Sequence, residues 1–389
     1  MRIKRKVCFI TGTRAEYGLL CPLMEKVQQS LKLEIKVIAT GMHLSPEFGS
    51  TYKEIHKDGY KIDSKIEMLL SSDSDIGVIK SMGLGLIGFA DALSDINPDI
   101  VVILGDRFES FSAAIAATVL KIPIVHLYGG ETTEGAYDES FRHSITKMSH
   151  MHFTSAENYR NRVIQLGEHP DSVFNVGYIG IDNIRKSKLL SRLEFERSIN
   201  FKLSKRNLLI TFHPVTLESS TAKLQFSNLL NVIEKLKGTN VIFTKANADN
   251  DGRAVNRMID EYVDEHKETS CVFDSLGRLR YLSAMQYVDG VVGNSSSGLT
   301  EAPSFKIGTI NIGDRQKGRI RASSVIDCTP EEEDINSAIK KLYSLEFSNF
   351  VKNTTNPFGS KGVVKRIINI IELNIDNLIL KKSFYDLKK

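Results

Sequence analysis

The stretch Asp99-Ile-Val-Val-Ile-Leu104 carries an unbroken apolar run that stops at Gly105-Asp106-Arg107. A run without polar alternation is the pattern of a strand buried on both faces, which belongs to parallel sheets. Pro98 ends whatever helix precedes it. An alanine-rich helix follows over residues 108–120. A second buried run, Ile124-Val-His-Leu127, then ends in Tyr128-Gly129-Gly130-Glu131. A polar loop with Glu134, Asp138 and Glu139 leads into a helix beginning near Ser140, with Arg142, His143 and Lys147. Two neighbouring strands that both close in glycine and charge point to a ligand crevice. In open α/β sheets ligands bind outside the carboxyl ends of the strands.

The same alternation runs through the chain. Lys6-Val-Cys-Phe-Ile10 reads as a strand turning at Thr11-Gly-Thr-Arg14 into a helix, and Leu33 to Ala39 as the next strand. The polar Ser71 to Asp75 caps a long helix to Asn97. Around Ile184 to Lys205 the pattern weakens into a charged helical stretch, the best candidate linker. It then resumes with strands at 207–212, 240–244, 271–273, 289–292 and 309–312. A last helix is expected from Val363 to Leu378, after Asn356-Pro-Phe-Gly359. Strand and helix in alternation predict an α/β protein with parallel sheets. Its 389 residues suit two or three domains. The expectation is two Rossmann-like domains, 1–185 and 186–362, facing a central cleft, with a terminal helix at 363–389.

Charge and cysteines narrow the chemistry. The formal net charge is +4, and no basic stripe is interleaved with aromatics, so a nucleic-acid partner is not expected. Cys8, Cys21, Cys271 and Cys328 stand apart without metal-ligand spacing, so neither a metal site nor a disulfide framework is expected. No signal peptide and no apolar run of membrane-spanning length is read, which implies a cytoplasmic protein with no membrane partner.

Several turns carry candidate binding groups. Gly293-Asn-Ser-Ser-Ser-Gly298 joins a strand to a helix, where backbone amides and small hydroxylated residues make a phosphate cradle. The bland alternative is a helix cap. Glu301, one turn on, could reach a ribose diol. Arg14 sits at a helix start, where its own charge opposes the helix dipole, which favours an anionic partner. His213 ends the first strand of the second domain and is either a phosphate donor or a satisfied core histidine. Arg315 follows Gly313 in the same way. Asp106, Glu131 and Asp138 form a carboxylate set with His126 and His143 nearby. Asp106 could instead cap the helix that follows it, and Glu134 and Glu139 read as a solvated loop.

Taken in order, Thr13-Arg-Ala-Glu-Tyr17, Thr40-Gly-Met-His43, Gly105-Asp-Arg107, Gly129-Gly-Glu131, Arg142-His-Ser-Ile-Thr-Lys147, Phe212-His-Pro-Val-Thr216, Gly293-Asn-Ser-Ser296 with Glu301, and Gly313-Asp-Arg-Gln316 resemble the hydrolysing UDP-N-acetylglucosamine 2-epimerases of sialic-acid biosynthesis. The resemblance implies the two-domain fold of GT-B glycosyltransferases, with the final helix crossing back to the first domain. It implies a reaction free of metal and cofactor, in a homodimer or homotetramer, releasing N-acetylmannosamine and UDP. Elimination of UDP to a glycal would be followed by hydration. Asp106 and Asp138 then match acid/base positions. Arg107 orients them or contacts the sugar, and Glu301 takes the ribose. Ser295, Ser296, His213, Arg14 and Arg315 suit the diphosphate, and Asn247 and Asp249 match a loop near the sugar or nucleotide. Many members carry a glutamate just before the Gly-Gly pair, where this chain has Tyr128. Glu131 is expected to take over proton transfer and Tyr128 to orient the sugar. The alternatives are the same reaction on a UDP-2,4-diacetamido sugar of a legionaminic-acid pathway, a GT-B glycosyltransferase, or a non-catalytic nucleotide-sugar sensor.

Overall fold

The computed structural model describes residues 4–70, 74–215, 221–246, 251–359 and 361–387. The apolar runs form strands, all of them parallel, in two sheets. One unit comprises Met1–Glu131, Asp138–Asn183 and Ser360–Lys389, the other Thr132–Tyr137 and Ile184–Gly359. In the first unit the strands are β1 (Arg5–Thr11), β2 (Leu33–Thr40), β3 (Ser64–Ile66), β4 (Ile100–Leu104), β5 (Ile124–Leu127), β6 (Met151–Thr154) and β7 (Val173–Asn175), in the order β3-β2-β1-β4-β5-β6-β7. In the second unit β8 (Arg206–Thr211), β9 (Thr239–Thr244), β10 (Ser270–Phe273), β11 (Gly290–Gly293), β12 (Gly308–Ile312) and β13 (Val325–Cys328) lie in the order β10-β9-β8-β11-β12-β13. Each sheet therefore repeats the doubly wound Rossmann order, with β7 added to the first. The order reverses between β1 and β4, and again between β8 and β11. The register sets Phe9 beside Val102 at the first reversal and Gly293 beside Thr211 at the second.

Burial on both faces explains why these runs do not alternate. Ile100, Val101, Val102 and Ile103 of β4 are fully buried. Each such side chain stabilises by about 1.5–3 kcal/mol relative to exposure. The helix Phe108–Val119 turns Ala113, Ala114 and Ala117 into the same core, and their small size lets the helix Asp75–Ile96 pack close beside it. That second helix is long and apolar enough to cross a membrane by length and composition alone. Phe89 and Leu93 nonetheless anchor it in the core, while Ile76, Ile79 and Ile87 stay two-thirds exposed.

Several elements depart from the sequence expectation. The charged stretch read as a helical linker is helical at Arg192–Ile199, and the helix Ile179–Lys186 runs into its start. The helix Arg192–Ile199 is closed by a capping box between Ser191 and Glu194. Strand β13 and the helices Glu332–Leu342 and Leu345–Val351 fall where no element was read, because β13 is a short edge strand with only half of its residues facing the core. The last helix is Val363–Asn374, shorter than expected, and packs on Arg14–Gln29 within the first unit. Asp182 holds its start, accepting from the Gly362 and Val364 amides at 2.9 and 3.1 Å. Beyond it the Lys382 ammonium reaches Glu168 at 2.7 Å, and the Tyr385 amide bonds Gly167 at 2.9 Å.

Candidate functional site

The carboxyl end of β4 is built from charge. Asp106 does not cap the helix after it. The N-cap is Arg107, which makes no side-chain cap bond. The Asp106 carboxylate pairs instead with Arg142, whose side chain is 1% exposed. Arg142 also donates to Glu139 Oε2 at 2.6 Å and to the Glu131 carbonyl at 2.9 Å. One buried guanidinium thus ties Asp106, Glu139 and the turn at Glu131 together, the arrangement that lets a buried charge persist. Asp138, expected in a loop, opens the helix Asp138–Met148 and so stands four residues before Arg142 on one helix. Glu131 is buried and its Oε1 accepts from the Ser155 hydroxyl at 2.9 Å.

Two buried histidines of the first unit are structural. His126 is fully buried, with Nε2 against the Gly105 carbonyl at 2.8 Å and Nδ1 against Thr146 Oγ1 at 3.1 Å. Burial pushes its imidazole down to about 3, so it stays neutral. His43 sits between Thr11 Oγ1 (2.9 Å) and Thr51 Oγ1 (2.7 Å), and burial lowers it to about 4. His143 Nε2 lies 3.0 Å from Glu139 Oε1.

Arg14 lies at the helix start as expected, but its guanidinium is engaged by Glu54, with Nε 2.6 Å from Oε2. Arg107 forms a two-armed pair with Glu109 rather than with Asp106. Tyr128 differs most from expectation. Its φ of +68° turns the backbone into the left-handed region. The ring lies 5.2 Å from that of Tyr178, and the hydroxyl oxygen accepts from the Ile179 amide at 2.7 Å, at the start of the helix Ile179–Lys186. The phenol therefore tethers a helix, a use that no strand-end argument reveals.

The carboxyl end of β11 is built from neutral groups. Gly293 has φ +127°, and a Cβ there would meet the Thr211 carbonyl at 2.0 Å, so only glycine lets β11 run this close to β8. Asn294 then clamps the neighbouring turn. Its Oδ1 accepts from the His213 amide and its Nδ2 donates to the His213 carbonyl, both at 2.7 Å. The Asn294 carbonyl in turn accepts from Gln316 Nε2 at 2.8 Å and Arg315 Nη1 at 3.2 Å. His213, Asn294 and Arg315 are thereby one assembly. The Ser295, Ser296 and Ser297 amides have no acceptor among the described residues. The helix after them is a single turn, Ser297–Thr300, and Pro303 belongs to the next short 3₁₀ segment, so the cradle consists of loop amides rather than a long helix terminus. Tyr281 hydrogen-bonds Ser297 there, and burial with nearby Glu301 raises its phenol. Glu301 itself is pushed up to about 7 by burial. Asn247 and Asp249 lie outside the described residues.

Asn294, Gln316, Arg142, Glu16 and Glu109 were given no role from sequence. The first three lie inside the motifs quoted above, and Glu16 is legible as the fourth residue of a Thr-x-x-Glu capping box. Glu109 carries no local signal.

A family model described as UDP-N-acetylglucosamine 2-epimerase matches residues 25–372. The chain is similar to a GDP/UDP-N,N'-diacetylbacillosamine 2-epimerase (hydrolyzing) of Campylobacter jejuni, 45% identical over 385 residues that cover 99% of this chain and 100% of that one. It is 38% identical to the polysialic acid biosynthesis protein P7 of Escherichia coli over 98% of both chains. Its fold matches the crystal structure of the Neisseria meningitidis UDP-GlcNAc 2-epimerase bound to UDP-GlcNAc with a TM-score of 0.79, at 20% identity over 95% of this chain and 100% of that one.

Proposed function

Because this chain belongs to the UDP-N-acetylglucosamine 2-epimerase family, we propose that it is a hydrolysing 2-epimerase whose substrate is a nucleoside-diphospho-2,4-diacetamido-2,4,6-trideoxy sugar. The observation that carries the substrate is the near-complete match to the Campylobacter jejuni diacetylbacillosamine enzyme. It moves the reading from UDP-N-acetylglucosamine, the first choice from the motifs, to the alternative weighed beside it. UDP-N-acetylglucosamine remains the second reading, favoured by the similarity to the Escherichia coli polysialic acid protein.

The residues support elimination followed by hydration. A carboxylate takes the proton from C2 while the C1–O bond breaks and its electron pair leaves with the diphosphate. The product is a 2-acetamidoglycal. Water then adds across the double bond, hydroxyl to C1 and a proton to the opposite face of C2, which inverts that centre. No carbonyl acidifies the C2 proton, so the leaving group must carry the reaction. The Ser295, Ser296 and Ser297 amides, which have no acceptor among the described residues, together with His213 and Arg315, are suited to the developing charge on the diphosphate. Arg142 pairs with the Asp106 carboxylate and holds it in one place, as a positioned general base requires. Glu131 and Asp138 are the remaining candidates for protonating C2 and activating water. Arg107 meets the sugar end of the substrate, and Glu301 suits the ribose hydroxyls.

The test is direct. The protein is incubated with UDP- and GDP-diacetylbacillosamine and with UDP-N-acetylglucosamine in deuterated water, and the free sugar is identified. A 2,4-diacetamido mannose-configured sugar with deuterium at C2 is expected from a diacetamido substrate. Release of N-acetylmannosamine alone would select the second reading. Release of sugar without deuterium at C2 would exclude the elimination.

A further inference from the structure

Glu109 has no part in the scheme above, yet it is 1% exposed at the carboxyl end of β4. Both arms of Arg107 close on it, Nε to Oε2 at 3.1 Å and Nη2 to Oε1 at 3.4 Å. Its other side lies against the turns that follow β1 and β2. A Cβ on Gly41, whose φ is +56°, would fall 2.8 Å from Glu109 Oε1, and one on Gly12 would fall 3.4 Å from its Cδ. Two turns therefore leave room for this carboxylate. Glu16 closes the cluster, its Oε2 accepting from the Gly12 and Thr13 amides at 2.8 and 3.0 Å. Burial, and then the charge of Glu109, push Glu16 up to about 7, while Arg107 pulls it the other way. Arg14 faces Glu54, and His43 faces two threonines.

We propose that Glu109 is the positioning residue for Arg107, fixing its guanidinium so that it meets the nucleotide-sugar already oriented. This rests on the proposed function, which gives Arg107 a substrate. An arginine free to sample its rotamers would lose that freedom on binding. A two-armed carboxylate removes the loss in advance and holds the planar fork in one orientation. A buried glutamate facing two glycine turns is an expensive way to cap a helix, and Glu109 caps none.

The experiment uses the full chain with Glu109→Gln, Glu109→Asp and Arg107→Lys. Turnover of the diacetamido substrate should fall about 10-fold or more in each, since a misplaced positioning group costs up to about 100-fold. The rise in melting temperature with free UDP should be unchanged. In Glu109→Gln alone, Glu16 loses a like charge, so any limb it contributes to the pH profile near 7 should move to lower pH. The Arg107 Nε–H resonance should be sharp and slow to exchange in the wild type and broadened in Glu109→Gln, with or without substrate. Glu109→Asp keeps the charge but cannot reach both arms, and serves if Glu109→Gln fails to fold. Wild-type kinetics in Glu109→Gln overturn the inference, as does a joint loss of melting temperature, UDP response and turnover, which marks a merely structural role. Absence of turnover in the wild type overturns the proposed function instead. The resonance then decides for Glu109, and an unchanged Arg107 signal in Glu109→Gln overturns it.

Discussion

At the carboxyl end of β4 the first unit places ions; at the carboxyl end of β11 the second places amides, hydroxyls and carboxamides. The strand order beneath them is the same. Asp106 with Arg142 and Glu109 with Arg107 are charge pairs that neutralise one another inside the first unit. Around Asn294 the bonds are neutral apart from the one from Arg315, and three serine amides are left over among the described residues. The difference teaches what each end can do. A carboxylate held by an arginine is ready to accept a proton but already has a cation. A loop with spare N–H groups lacks an anion and is ready to receive one.

The strongest way to break that contrast is to discharge the first unit. Asp106→Asn should cut turnover by about 10²-fold or more, the usual worth of a positioned acid–base group, with the UDP-induced rise in melting temperature retained. Steady-state kinetics on the released sugar measure it. Near-normal turnover would mean that the Asp106–Arg142 pair only holds the fold.

Arg142→Met tests the cost of the ion pairs themselves. Removing one partner of a buried pair costs about 3–5 kcal/mol. Asp106 and Glu139 keep about a fifth of their side-chain surface in contact with solvent, so the loss on urea unfolding should lie at or below the low end of that range. A change within about 0.5 kcal/mol, the scatter of neutral surface substitutions, would show that water replaces the guanidinium.

Ser296→Asp addresses the other end. A saturating ligand at about 100 times its dissociation constant adds about 2.7 kcal/mol of stability. A negative charge among the serine amides should abolish that increment for UDP and leave the unliganded protein as stable as before. A full UDP shift in the variant would remove the loop from nucleotide binding.

Glu301 offers the smallest and subtlest effect, through a buried carboxyl of the second unit that burial holds protonated. Its carboxyl ionises near 7 in the fold, against an ordinary value of 4.5. A raised value means that the folded form holds its proton after the unfolded chain has released it. Stability present below about pH 4.5 is therefore lost progressively up to about pH 7. Glu301→Gln should match the wild type at pH 4.5 and melt higher at pH 8. If the carboxylate takes the ribose hydroxyls, UDP should bind the wild type more tightly as pH rises through 7, a trend the glutamine variant should lack. Parallel melting curves across that range would show that Glu301 is solvated.

Much of this was legible in the amino-acid order. The non-alternating runs announced parallel strands; glycine with charge at their ends announced the turns that carry Asp106 and Glu131, and the histidine and the glycine–serine run after two others announced those of His213 and Ser295. These signals are local, since burial on both faces and turn chemistry act over a few residues. Where local signals were weak, as at the edge strand β13 and the helices after it, the reading left out real elements.

The sequence by itself therefore determined the fold class, the family motifs and the turns that bear them. Only the tertiary structure decided who partners whom. Asp106 and Arg142 are 36 residues apart, Tyr128 and Ile179 are 51 apart, and Asn294 and His213 are 81 apart. In a doubly wound sheet β4 lies beside β1 and β11 beside β8, so strand-end turns distant in the chain become neighbours. Which side chains then meet depends on register, rotamer and the room left by glycines such as Gly41 and Gly293, and none of these is set by residues adjacent in the chain.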